Sequence, residues 1–207
     1  MEPSENIQKS KIEYISLVFI VVSLLFSCKD KKSQNINYDS LIDETIILVK
    51  ENRFEYPPFP LISHTMNDVS KYPLIEAGKP ALGVIRKRFT ELTDKNVKSY
   101  FLLSMFYIGE SEINQEALLV LRNETDEDLF RIASAGLSLY GTKEILPELV
   151  DIIEKGKQTN GFYTLSTAES ITGVHLSVDK LTELSEDERF EKRKVHFLEW
   201  WDKNRKN

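Results

Sequence analysis

The sequence predicts an all-α fold: a short right-handed α-solenoid of antiparallel helix pairs with terminal capping helices. The first observation behind this prediction is a repeat, since residues 94–125 and 126–157 align without a gap when the sequence is shifted by 32 positions. The second is that apolar residues within each copy recur at helical spacing. A period of about 20–50 residues is typical of stacked repeats, because each unit is too small to bury its own apolar face.

Each copy is predicted to form a helix, a tight turn and a second helix. In the later copy Thr125 offers a capping hydroxyl, and the acids that follow it suit the positive end of a helix dipole. Gly141 closes the first helix. Pro147 is compatible with the second helix only in its first turn, because proline lacks an N–H. The positions expected to face inward are Leu129, Ile132, Ala133, Gly136, Leu137, Tyr140, Ile145, Leu149, Ile152 and Ile153.

Three glycines carry separate expectations. Gly109 and Gly141 match each other in the repeat and are predicted to adopt positive φ, because the chain reversal leaves little room for a Cβ. Replacing Gly141 with valine is then expected to destabilise the fold by more than about 1 kcal/mol. Gly136 lies within a predicted helix, where Ser104 stands in the preceding copy. It is expected to tolerate alanine far better, unless it lets two helices approach closely.

The flanking segments are less regular. Residues 68–93 are predicted to form one further repeat, and residues 158–184 a degenerate one. A helix near 38–50 is expected to cap the N-terminal end of the stack. A capping box that begins at Ser185 starts the last helix, predicted over 185–203, which caps the other end.

One segment carries a family resemblance. In residues 74–82 (LIEAGKPAL) a helix ends at glycine and the next opens at Pro-Ala-Leu, which resembles the recurrent turn of HEAT-like repeats, particularly the short class related to the phycobilisome-lyase type. The resemblance covers roughly residues 68–173 and implies an architecture, not a chemistry, so no cofactor is expected. The alternative is an ordinary helix bundle whose two helix pairs are alike by chance.

The N-terminal segment is predicted to be a lipoprotein signal peptide, residues 1–27. The 13 residues 14–26 contain no charge, which fits a signal-peptide core and is shorter than the roughly 20 residues of a membrane-spanning helix. Ser27 followed by Cys28, the only cysteine of the chain, resembles a bacterial lipobox and implies lipidation of the Cys28 thiol. Residues 28–37 then form a polar tether, and residues 38–207 form the helical-repeat domain.

The net charge of the chain restricts the classes of partner that it can bind. The formal net charge is −6, whereas nucleic-acid binding needs a basic surface to neutralise phosphates. The expected partners are therefore the lipid membrane, through acylated Cys28, and an unidentified protein or peptide. We expect the domain to lie outside the cytoplasm, anchored in the bacterial cell envelope.

A partner-binding surface is predicted on the second helices. Glu112 and Glu116 recur as Glu144 and Glu148, so stacked helices would present an acidic stripe to a basic partner segment. The alternative is that these acids are solvated groups at helix starts. Trp200 is a further candidate for partner binding, and its alternative role is to seal the end of the stack.

Catalytic and metal-binding motifs are not recognisable in the sequence. The three histidines, His64, His175 and His196, match no short-range metal-ligand spacing, so no metal site is predicted. No glycine-rich phosphate loop or nucleophile motif accompanies them. The predicted function is a non-catalytic protein-binding or assembly module. The alternatives are an envelope enzyme or enzyme accessory whose site is not visible in sequence, and an uncleaved single-pass membrane protein.

Overall fold

The computed structural model describes residues 37–53, 57, 71–155, 158–177, 181 and 183–205. Across these ranges the regular structure is helical, without a strand. The helices are α1 (Tyr38–Lys50), α2 (Pro73–Ala77), α3 (Lys79–Glu91), α4 (Lys95–Gly109), α5 (Asn114–Asn123), α6 (Glu127–Tyr140), α7 (Leu146–Lys155), α8 (Gln158–Thr172) and α9 (Glu186–Asn204), with 3₁₀ turns at Glu110–Ile113 and Lys143–Ile145. Their contacts group Tyr38–Asn207 as one compact unit.

The predicted period reappears in the element boundaries. α4 begins at Lys95 and α6 at Glu127, while α5 begins at Asn114 and α7 at Leu146, and both intervals are the 32 positions of the sequence repeat. The layout of helix, tight turn and helix is therefore confirmed for both copies. Pro147 is the second residue of α7, in the first turn as predicted.

The helices pack in a regular order. α4 contacts α6 and α6 contacts α8, while α5 contacts α7. The second helix of one copy also packs on the first helix of the next, as α5 does with α6 and α7 with α8. α1 lies against α2, α3 and α4, and α9 lies against α8. In the described residues between α8 and α9 there is no second helix to complete the third copy.

The core is centred on α4. Eleven of its residues are buried, from Val97 to Gly109, because α1, α2, α3 and α6 all pack against it. A helix that is apolar around most of its circumference belongs inside a fold. In the copy 126–157 every position predicted to face inward is buried, apart from Tyr140, which is half-buried. Burying each large apolar side chain contributes about 1.5–3 kcal/mol.

Carboxylates cap the first helices of both copies. Asp94 Oδ1 accepts hydrogen bonds from the N–H groups of Asn96 and Val97, both at 3.0 Å. Asp126 Oδ1 does the same for the second and third residues of α6, at 3.1 and 3.2 Å. The predicted cap at Thr125 is therefore wrong by one residue. Asp126 has the extended backbone of a cap, with φ −86° and ψ 126°, which turns its side chain back onto the helix start.

The last helix starts as predicted. Ser185 Oγ accepts from the Glu188 N–H at 3.4 Å, and the Glu188 carboxylate accepts from the Ser185 N–H at 2.9 Å. This reciprocal capping box satisfies two donors that the first helical turn would otherwise leave without partners. Phe190 and Phe197 turn inward from this helix and are buried.

The glycine predictions require correction. Gly109 and Gly141 lie at the ends of α4 and α6, but their φ angles are −111° and −69°, so the expected positive φ is wrong. The reason for glycine at Gly141 is crowding, because a Cβ there would lie 2.3 Å from the Leu137 carbonyl oxygen. Among the described residues positive φ falls instead on Asn52, Gly78, Glu110 and Gly173, at 53°, 64°, 48° and 72°.

The prediction for Gly136 is also wrong, because the structure leaves no space for a Cβ at this position. A Cβ at this position would lie 2.2 Å from two ring carbons of Phe106, whose side chain is completely buried. Gly136 therefore lets α6 approach α4 closely, and the expectation that it tolerates alanine is overturned. The Phe106 ring also stacks on Tyr140, one turn further along α6, with ring centroids 6.1 Å apart.

Candidate functional site

The predicted acidic stripe is largely neutralised within the chain. Arg86 of α3 donates to both carboxylate oxygens of Glu116, at 2.5 and 3.1 Å, and to the main-chain oxygen of Glu112 at 2.8 Å. Lys79 Nζ lies 3.2 Å from Glu112 Oε1. The hydrogen bond to Glu116 raises the pKa of Arg86. The two-pronged contact fixes one unit to the next, since a planar guanidinium matches both carboxylate oxygens.

The later pair of acids differs from the earlier pair. Glu148 in α7 accepts a hydrogen bond from Gln115 at 3.1 Å, and its other oxygen lies 3.7 Å from the Arg122 guanidinium. Glu144 in the preceding 3₁₀ turn is exposed, and within the described part of the chain it forms no ion pair. Among the four predicted acids, Glu144 alone presents an uncompensated charge.

Trp200 has a mixed environment. It is half-buried on α9, packs against the core and lies 5.7 Å from the Phe197 ring, measured between ring centroids. This placement gives it a covered side and an open side.

The remaining sequence candidates are dispersed. Cys28 and His64 lie outside the described residues. His175 follows α8 and is 61% exposed, with its Nδ1 3.8 Å from a carboxylate oxygen of Glu169. His196 lies on α9 beside a shallow groove. Among the residues that the structure describes, no group of three or more potential ligands is arranged to hold a metal ion, and no helix is long and apolar enough to cross a membrane.

Sequence reasoning missed a cleft of about 620 Å³ between α8 and α9. Its lining combines aromatic rings with charges of both signs, from Glu127, Thr159, Phe162, Tyr163, Leu181, Glu186, Asp187, Arg189, Phe190 and Arg193. The two helices meet where Gly161 faces Phe190, whose ring would lie 3.0 Å from a Cβ at the glycine. Phe162, next along α8, remains 43% exposed.

A largely buried ion pair adjoins this cleft through Arg193. Glu169 has a side chain only 5% exposed, and Arg193 of α9 donates to its two oxygens at 2.5 and 3.2 Å. The same guanidinium donates to Ser166 Oγ at 3.0 Å and lies 5.3 Å from the centre of the Phe162 ring. Because its hydrogen bonds and its ring contact come from several directions, Arg193 is held in one position.

A second tie across the fold is made by the phenol of Tyr163, which also lines the cleft. The Tyr163 hydroxyl donates to Glu127 Oε1 at 2.7 Å, which ties α8 to the start of α6. Burial, followed by this hydrogen bond, raises the pKa of Tyr163. The ring of Tyr163 meets that of Phe162 edge-on, with centroids 5.6 Å apart. Two aromatic rings, perpendicular to each other, therefore form the floor of the cleft.

The repeat itself contains the signal that identifies this cleft. Glu169 stands 32 positions after Leu137, and Phe162 stands 32 positions after Phe130. Both earlier residues are buried apolar side chains. A carboxylate at a core position of the third copy marks the place where an arginine from another element must pack.

Comparison of the chain with models of known protein families, with curated protein sequences and with solved structures found no match.

Proposed function

We propose that the chain is a lipid-anchored, non-catalytic protein-binding or assembly module of the bacterial cell envelope. The observation that carries this proposal is the order of features along the chain. An uncharged apolar run leads to Cys28, a polar segment follows, and then come units whose elements recur every 32 residues. Repeats of this kind build extended surfaces that bind other proteins.

The architecture that we propose is a short right-handed α-solenoid of antiparallel, HEAT-like helix pairs. The contacts of α4 with α6, α6 with α8, and α5 with α7 support it, because a solenoid stacks equivalent helices of successive units. The bonds from Arg86 to Glu116 and from Gln115 to Glu148 also join each second helix to the next. In this arrangement α1 and α9 cover the two ends.

The anchor is tested by metabolic labelling with palmitate in a bacterial host. We expect the label to enter the chain and to disappear in Cys28→Ala. Label that persists in Cys28→Ala would contradict lipidation at this residue. The mass of the mature chain separates the alternatives, because a chain that begins at acylated Cys28 is much lighter than an uncleaved single-pass protein.

The binding function is tested by chemical cross-linking in native membranes, followed by identification of the cross-linked proteins. We expect a defined protein partner to be recovered from repeated experiments. Retention of that partner in Cys28→Ala, with the chain released from the membrane, would assign binding to the helical domain and membrane placement to the lipid.

A further inference from the structure

The cleft between α8 and α9 has an open aromatic floor at a position that the fold covers elsewhere. Phe130 of α6 is buried, and Tyr163 of the next unit lies against it with ring centroids 6.2 Å apart. Phe162 occupies the equivalent position one unit later and is 43% exposed. α9 places Arg193 over this ring but leaves a cleft beside it. The floor therefore presents aromatic surface to an incoming group.

The charges around this floor favour a cation. Three carboxylates line the cleft, those of Glu127, Glu186 and Asp187. Of the two lining guanidiniums, Arg193 is neutralised by Glu169, so three carboxylates stand against one remaining positive charge, that of Arg189. Arg189 Nε donates to the Leu184 main-chain oxygen at 2.8 Å. Glu186 is exposed in the first turn of α9 and pairs with no cation among the residues placed by the structure.

We infer that this cleft binds a lysine or arginine side chain on a basic segment of a partner protein, an inference that rests on the protein-binding function proposed above. Long basic side chains bury their aliphatic stems on apolar surface while the charge stays at the rim. Aromatic faces attract cations, and a nearby carboxylate completes the site. The stem lies on Phe162 and Tyr163, and the cation reaches Glu186.

The molecule already contains one example of this recognition. The Arg193 guanidinium lies over the Phe162 ring while its N–H groups bond to the Glu169 carboxylate. An incoming basic side chain would use the same two chemical groups, an aromatic ring and a carboxylate, on the open side of the cleft. This precedent favours a basic occupant over an acidic one, because three carboxylates line the cleft and the Arg193 guanidinium is committed to Glu169.

The test is a fluorescence-anisotropy titration of the full-length chain in detergent micelles. The probe is a short fluorescein-labelled peptide of alternating arginine and serine, and its control has glutamate in place of arginine. We expect the arginine peptide alone to bind, with an affinity that falls as salt is added. Phe162→Leu and Glu186→Gln should each weaken binding by about fivefold or more, because each removes one part of the cation site.

Ile47→Ala is the matched control, since Ile47 is another exposed apolar side chain, 56% exposed, on distant α1. It should leave the affinity unchanged. Thermal melts of each variant separate a binding loss from unfolding, and Phe162→Leu removes the aromatic ring while it keeps the position apolar. Equal binding of both peptides, or wild-type affinity in Phe162→Leu, would overturn the inference.

Two further outcomes separate this inference from the proposed function. If Glu144→Gln weakens binding and Glu186→Gln does not, the acidic stripe is the site and the cleft is not, although protein binding stands. If the arginine peptide does not bind while membrane cross-linking still recovers a partner, the basic chemistry assigned here is wrong and the binding function is retained.

Discussion

Replacing Gly136 with alanine should destabilise the protein, although alanine is the better helix former. The new Cβ would lie 2.2 Å from Phe106 Cε2 and Cζ, whereas carbon atoms in contact sit about 3.5–4.0 Å apart. The ring, which is buried and stacks on Tyr140, must therefore move by roughly 1.5 Å. Such overpacking costs about 1–3 kcal/mol, and the helix-propensity gain offsets up to about 1 kcal/mol.

With the propensity gain fully subtracted, the expected net loss is about 1 kcal/mol at the middle of the range, which lowers the melting temperature by about 2–4 °C for a domain of this size. Gly83→Ala is the matched control, because Gly83 lies within α3 and a Cβ there meets nothing within 4 Å. Circular-dichroism melts should show Gly83→Ala at or above the wild type and Gly136→Ala below it. In Phe106→Leu the same alanine should cost less, since the ring that it meets has been removed. A Gly136→Ala melting temperature equal to or above that of the wild type would refute the close approach of α6 and α4.

Gly141→Val should destabilise by about 2 kcal/mol or more through contact with the Leu137 carbonyl and with Ile171, so a wild-type urea midpoint would show that the turn is misplaced. Glu110→Gly should stabilise by about 1 kcal/mol, because glycine adopts φ 48° and ψ −120° without the strain that glutamate bears; a lower melting temperature would contradict this. Glu169→Ala should cost about 3 kcal/mol by leaving the Arg193 guanidinium partly buried without its carboxylate. The double variant with Arg193→Met should recover part of that loss, and equal loss in the single and double variants would argue against the pair.

The regular helices were accessible from the sequence because their signals are local. Apolar spacing, capping residues and a constant 32-residue interval lie within single units, and α1 was placed at Tyr38–Lys50 from its apolar face alone. The backbone conformation of the glycines could not be predicted from the sequence. Glycine at Gly141 is compatible with positive φ or with a lack of space for a Cβ, and only the positions of Leu137, Ile145 and Ile171 decide between them.

The candidate site was harder to predict because its contacts are long-range. The matching acids of the stripe were evident, but Arg86, which neutralises Glu116, lies 30 residues earlier and follows no repeat position. The cleft depends on how α9 packs on α8, which the capping box alone does not determine. The carboxylate of Glu169, at the position of Leu137 in the preceding unit, was the one local sign of it.

The central claim is that this chain holds a specific protein partner at a bacterial membrane. The most direct test is quantitative cross-linking mass spectrometry in native membranes that contain the wild-type chain. We expect one reproducible protein partner, cross-linked through residues of the helical domain and enriched far above its abundance in the membrane. Cross-links that simply follow the abundance of membrane proteins, with no preferred partner, would contradict it.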